Sequence, residues 1–103
     1  MEISAKQRRT VDTEHLKNLV VREVKSHLRR LNELSLKIHA HPETGFQESK
    51  AVTWLSRYLV KNRFTVETGC YGLPTAFLAC YGEGKPVIAI LGEYDAVEWG
   101  YGP

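Results

Sequence analysis

Apolar residues recur at three- and four-residue steps over the first third of the chain, the spacing that places side chains on one face of an α-helix. Asp12 or Thr13 is suited to cap the start of this helix. Pro42 disfavours helical geometry at His41, so we predict that the helix ends near His39. The stripe consists of Leu16, Val20, Val24, Leu28, Leu31, Leu34 and Ile38.

The pattern then changes from a helical to an alternating period. A second amphipathic helix is predicted over residues 48–62, after a turn rich in Pro and Gly. Residues 64–70 and 75–81 alternate like two strands of a hairpin, and residues 87–91 are continuously apolar, which is typical of a strand covered on both faces. The order α-α-β-β-β predicts an α/β fold.

The hairpin register decides whether the two cysteines can pair. Pairing residues 64–70 with 75–81 puts Cys70 opposite Thr75 and Cys80 opposite Thr65. The two sulfurs are then five positions apart along the ribbon, at about 3.3 Å each. A disulfide is excluded at that separation, so we expect both thiols to be reduced.

Composition narrows the class of protein. The chain is 43% hydrophobic and 25% charged, which is ordinary for a folded domain. Its longest apolar run is far shorter than a membrane span, and no secretory leader is recognisable, so we expect a cytoplasmic protein. Residues 1–11 are predicted to be a disordered tail, with a weak organelle-targeting signal as the alternative.

The charges are unevenly distributed. Residues 1–39 hold nine Lys and Arg against five acids, whereas residues 40–103 hold five against seven. The basic face of the first helix consists of Lys17, Arg22, Lys25, Arg29, Arg30 and Lys37. Glu23 and Glu33 interrupt it and the helix lacks aromatic residues, so we expect a solvated face and no nucleic-acid or membrane partner. A short coiled-coil seam with His27 at one position is a further interpretation. The alternative function is a non-enzymatic helical interaction module, which would use the apolar stripe or the basic face of residues 14–39.

Two groups of residues are candidates for chemistry. His39 and His41 lie at a helix end, where positions i and i+2 do not share a face, so we predict no metal site there. Glu93 and Asp95 follow the apolar segment, and two carboxylates at this spacing on a strand end would face one direction and raise one pKa or bind a cation. The alternative is two solvated acids in a loop.

Three ordered segments carry a family resemblance: HAHPETGFQE at 39–48, GLPTAF at 72–77 and ILGEYDA at 90–96. Together they resemble the start of the aminoacylase and carboxypeptidase G-type metallopeptidases, peptidase family M-twenty. The nearest branch in appearance is the amidohydrolase branch of aminobenzoyl-glutamate hydrolase and β-alanyl-lysine dipeptidase-like proteins. The resemblance spans roughly residues 15–97.

The resemblance implies a cytosolic hydrolase that cleaves an amide bond in a small dipeptide or N-acyl amino acid. It implies a mixed-sheet catalytic domain with a smaller dimerisation domain, and one or two zinc or manganese ions. Glu93 stands where many relatives have the metal-binding His of a His-x-Asp motif, and Asp95 matches the Asp that orients the site. Asp95 is therefore the candidate catalytic residue and Glu93 a weaker one. Glu43 and Glu48 are expected to cap and hydrogen-bond before the second helix.

The end of the chain departs from the family pattern. Relatives continue with a proline-glycine turn and a Gly-His-Ala-Cys-Gly-His type segment that supplies metal ligands, whereas residues 97–103 read VEWGYGP. The resemblance thus implies no metal ligand and no cofactor in this chain. We expect residues 12–97 to be the N-terminal part of a catalytic domain, residues 98–103 to be a divergent tail, and the fragment to be inactive alone and to self-associate.

Overall fold

The computed structural model describes residues 12–97, and the predicted tails at 1–11 and 98–103 lie outside them. The described chain forms α1, α2, β1, a short 3₁₀ turn and β2, and it divides into two units after Glu33. The bounds are Thr13–Ala40 for α1, Ser49–Lys61 for α2, Thr65–Thr68 for β1, Cys70–Gly72 for the 3₁₀ turn and Phe77–Cys80 for β2. No described helix is long and apolar enough to cross a membrane.

The start of α1 is fixed by Asp12. Its carboxylate accepts a hydrogen bond from the backbone amide of His15 at 3.1 Å, and its carbonyl accepts one from Leu16 at 3.1 Å. This is the N-cap arrangement, so of the two predicted caps Asp12 is the one used. The helix ends one residue beyond the predicted His39.

The polar surface of α1 carries two ion pairs between residues three or four positions apart, Lys17 with Glu14 and Arg29 with Glu33, and a hydrogen bond between His27 and Glu23. Two residues of the basic face, Lys17 and Arg29, are therefore paired with acids of their own helix. No residue of α1 is buried within the described part of the chain, and Leu16 and Val20 on the apolar stripe are exposed.

The small core lies under α2. Ala51 is 2% exposed and Val52 is 8% exposed, and both belong to this helix. Cys70 of the 3₁₀ turn is the third buried apolar residue in the described chain. The helix also contacts both strands of the hairpin, so its placement determines where the loops at the hairpin ends lie.

The C-terminus of α2 closes in a Schellman motif. The amide of Phe64 donates to the carbonyl of Leu59 at 3.0 Å, and the amide of Arg63 donates to that of Val60 at 3.1 Å. Arg63 takes the left-handed conformation that the motif requires, with φ of 72°. This reversal is the point at which the helical period of the sequence gives way to the strand period.

The hairpin has the predicted register. Thr65 pairs with Cys80, and Thr68 pairs with Phe77. The ladder continues through a hydrogen bond of 2.9 Å from the amide of Gly69 to the carbonyl of Ala76. Each strand is four residues long, shorter than predicted. Both cysteines are free, as expected: Cys70 is buried, whereas Cys80 is exposed.

The predicted third strand at residues 87–91 is not formed. These residues have no strand assignment, and Ile90 and Leu91 are 92% and 98% exposed. A strand requires a neighbour for its backbone hydrogen bonds, and in the described chain β2 pairs only with β1. The described fold is therefore mixed α/β with a two-stranded antiparallel sheet, and the predicted α-α-β-β-β order is reduced to α-α-β-β.

Replacing Arg63 with glycine should stabilise the protein. Left-handed geometry costs an L-residue about 1–2 kcal/mol, whereas glycine adopts it freely and loses about 0.5–1 kcal/mol in chain entropy. We expect Arg63→Gly to raise the free energy of unfolding by about 0.5–1 kcal/mol in urea denaturation. The matched control Arg57→Gly, in the interior of α2, should lower it by about 1 kcal/mol. A loss of stability in both variants would contradict this role for Arg63.

Candidate functional site

The carboxylate of Glu43 caps α2 from outside the helix. It accepts hydrogen bonds from the amide of Lys50 at 3.0 and 3.1 Å, from the amide of Ala51 at 2.9 Å and from the hydroxyl of Ser49 at 3.2 Å. The first amides of a helix have no partner within the helix, so a carboxylate is well suited to this position. The predicted capping role of Glu43 is confirmed.

The same contacts perturb the ionisation of Glu43. The backbone hydrogen bond from Lys50 is the largest cause that lowers the pKa of this carboxyl below its ordinary value of 4.5. Partial burial opposes that change, while the hydrogen bonds from Ala51 and Ser49 and the charge of Lys50 support it. Glu43 is therefore held in its ionised form at neutral pH.

The backbone around Glu43 also holds the segment that carries the two candidate acids. The amide of Ala96 donates a hydrogen bond of 2.7 Å to the carbonyl of Glu43, and Thr44 and Ala96 form an isolated parallel bridge. The ILGEYDA segment thus lies against the HAHPETGFQE segment, although about fifty residues separate them in the sequence.

A second set of contacts brings in the GLPTAF segment. The hydroxyl of Thr75 donates to the carboxylate of Glu48 at 3.2 Å, and the phenol of Tyr94 donates to the backbone carbonyl of Thr75. The ring of Tyr94 stacks on Phe77 with centroids 5.9 Å apart. Burial, and secondarily the charge of Glu48, raise the pKa of Tyr94 above 10.0, so the phenol remains a donor.

These contacts surround an open pocket of about 350 Å³, which we call the motif pocket. All three segments contribute to its lining: Gly45, Phe46, Glu48, Leu73, Thr75, Ala76, Gly92, Glu93, Tyr94 and Asp95. Glu93 and Asp95 are both exposed at the pocket, on either side of the half-buried Tyr94. The pocket lining contains acids and aromatic rings and no Lys, Arg or His.

Phe46, Thr75 and Tyr94 line the motif pocket, although no pattern in the sequence predicts them as site residues. Tyr94 was identifiable in principle, because a residue between two outward-facing acids points to the opposite side of an extended chain. Phe46 combines high exposure with a left-handed φ of 66°, which no pattern in the sequence indicates. Glu48 occupies the N-cap position of α2, but its side chain makes no capping bond and accepts a hydrogen bond from Thr75 instead, so only the hydrogen-bonding part of its predicted role is confirmed.

His41, one of the histidine pair His39 and His41, makes structural contacts with α1 and α2. The Nδ1 of His41 bonds to the carbonyl of Lys37 at 2.8 Å, and its ring packs edge-on against Trp54. Over residues 12–97, no group of three or more His, Cys, Asp or Glu is placed to hold a metal ion. The described residues therefore do not fit the zinc or manganese site that the family resemblance implies.

Part of the chain is similar to a curated hydrolase subunit. The chain is 44% identical over 68 residues to one of the subunits of p-aminobenzoyl-glutamate hydrolase from Escherichia coli (strain K12). The match covers 66% of this chain and 14% of that relative, so the chain spans a small part of its length. No family model matches the chain, and no solved structure matches it. The match supports a relation to an amidohydrolase-like hydrolase subunit.

Removing the charge of Glu43 should destabilise the protein in a pH-dependent way. Because the folded-state pKa is depressed, the stabilisation is present above pH 4.5 and is lost as pH falls through the lower folded value. In urea denaturation, the free energy of unfolding of Glu43→Gln should be lower than that of wild type at pH 7. The difference between the two free energies should become smaller below pH 4.5. Glu67→Gln, at an exposed site on β1, should show no such trend. A pH-independent difference for Glu43→Gln would contradict the capping role of the charge.

The phenol of Tyr94 should contribute to stability through its hydrogen bond. Tyr94→Phe keeps the ring stacked on Phe77 and removes only the donor to Thr75, so we expect a loss of about 0.5–1.5 kcal/mol in the free energy of unfolding. Tyr71 is 97% exposed, and Tyr71→Phe should change the value by less than about 0.5 kcal/mol. Equal effects of the two substitutions would show that the contact with Thr75 is not stabilising.

Proposed function

We propose that this chain supplies the N-terminal region of a metal-dependent amidohydrolase of the M-twenty type. Its substrates would be small dipeptides or N-acyl amino acids, of which p-aminobenzoyl-glutamate is the first to test. The observation that carries the proposal is the meeting of the three resemblance segments at the motif pocket. The 44% identity to a hydrolase subunit also supports it.

Within this proposal Asp95 orients the reacting groups, and Glu93 is a secondary candidate. Both carboxylates are exposed at the pocket and available to other groups, while Tyr94 between them anchors the segment through Thr75. Glu43 and Glu48 have structural roles, since their oxygens accept hydrogen bonds from α2 and from Thr75. Neither is proposed to touch substrate.

We further propose that residues 12–97 do not hydrolyse an amide by themselves. The metal ligands of such an enzyme would have to come from other residues or another chain, because the described part groups no ligand set. Association with further protein also suits the exposed apolar residues at 87–91, which offer a surface for strand pairing or packing. The relative is named as a subunit of a hydrolase, which supports the proposal that this chain associates with further protein.

A chimera tests the proposal directly. The segment of the Escherichia coli relative that corresponds to residues 12–97 of this chain is replaced with those residues, and release of p-aminobenzoate from p-aminobenzoyl-glutamate is measured. We expect activity in the chimera and none in the isolated chain. A folded chimera without activity, with the parent enzyme active under the same conditions, would contradict functional equivalence of the two segments.

Substitution in the chimera tests Asp95. Loss of a carboxylate that orients an active site typically lowers activity about 10- to 100-fold, so we expect that fall in kcat/KM for Asp95→Asn. Glu67→Gln, exposed on β1 and outside the motif pocket, is the control and should leave kcat/KM unchanged. Circular dichroism checks that both variants fold. Unchanged activity in Asp95→Asn would exclude Asp95 from the site.

A further inference from the structure

A second concave surface lies between the end of α1 and the exposed face of α2. We call it the basic groove, and its volume is about 280 Å³. Its lining consists of Leu34, Lys37, Trp54, Arg57, Tyr58 and Lys61. The four α2 residues, at positions 54, 57, 58 and 61, follow the three- and four-residue spacing that places side chains on one face of a helix. The groove has no lining residue in common with the motif pocket.

All the charged side chains that line the basic groove are positive. Lys37, Arg57 and Lys61 line it, and no acid does. None of the three forms a salt bridge within residues 12–97, in contrast to Lys17 and Arg29 on α1. For Arg57 and Lys61 the sequence explains this, because it contains no Asp or Glu between Glu48 and Glu67; Glu33, four positions before Lys37, is paired with Arg29. The positive potential at the groove is therefore not neutralised by neighbouring side chains.

Leu34 and Trp54, both half-buried, supply apolar surface between these charges. The ammonium of Lys37 lies over the ring of Trp54, 4.3 Å from its centroid, and His41 packs against the ring at 5.2 Å. Binding a single-stranded nucleic acid requires aromatic faces on which bases stack. Because Lys37 and His41 already contact the ring of Trp54, the groove favours a ligand with carboxylates and a small apolar anchor.

We propose that the basic groove docks an acidic peptide segment of a partner protein. Carboxylates of the segment pair with Lys37, Arg57 and Lys61, and an aliphatic side chain packs on Leu34, beside the Trp54 ring that Lys37 and His41 contact. The groove lacks the candidate hydrolytic residues, so this interaction is separate from the proposed activity. A failure of one proposal would not contradict the other. Charge complementarity of this kind sets specificity and the rate of association.

The test is fluorescence anisotropy with the full chain and a labelled peptide of sequence EELEELEE. We expect saturable binding that weakens as salt rises from about 50 to about 500 mM, since exposed charge pairs are screened. The double variant Arg57→Glu with Lys61→Glu should weaken binding at least about tenfold at about 150 mM salt. Arg57→Gln with Lys61→Gln, which removes charge without reversing it, should weaken binding in the same direction to a smaller extent.

The matched control is Arg22→Glu with Lys25→Glu on α1, which changes net charge equally but lies outside the groove. It should weaken peptide binding less than about twofold at about 150 mM salt, where screening acts over about 8 Å. Equal weakening in the two charge-reversal variants, with helix content retained, would overturn the proposal. Absence of peptide binding would overturn it as well. Equal or tighter binding of a ten-nucleotide oligothymidine would replace it with a nucleic-acid interface.

Discussion

The arrangement of residues 34–97 depends on the hydrogen bonds that converge on Glu43. Its side chain binds the amides of Lys50 and Ala51, which fixes the start of α2 relative to the turn before it. Its backbone carbonyl binds the amide of Ala96, which holds the acidic segment against that same turn. One residue thus connects a helix end, a turn and a distant segment, and its ionised state is maintained by the amides that it caps.

The motif pocket follows from this connection. Once Ala96 is held at the turn, Tyr94 reaches the carbonyl of Thr75 and stacks on Phe77, and Thr75 in turn binds Glu48. The inward position of Tyr94 leaves Glu93 and Asp95 exposed at the pocket. The acids that carry the proposed chemistry are therefore positioned by hydrogen bonds and ring packing and have no cationic partner among the pocket residues.

Local patterns predicted the elements whose determinants are close in sequence. The cap at Asp12, the two helices and the hairpin register with Cys80 opposite Thr65 all depend on neighbours within a few residues or on the short connection at residues 69–76. The prediction of a strand at residues 87–91 was wrong because a strand depends on a partner that can be distant in the sequence. An apolar pattern indicates what a segment would bury, but a strand forms only where another strand offers its backbone groups, and the described chain offers none to this segment.

The sequence by itself determined the helices, the hairpin, the absence of a disulfide and the family resemblance of three separate segments. It could not determine that these segments meet. The contacts of Glu43 with Ala96 and of Tyr94 with Thr75 join residues far apart along the chain, and no periodicity encodes such pairings. The same holds for the basic groove, because the charges of Lys37 and Lys61 come together only when α2 packs beside the end of α1. Tertiary structure decided both surfaces, since each is made by elements that only folding brings into contact.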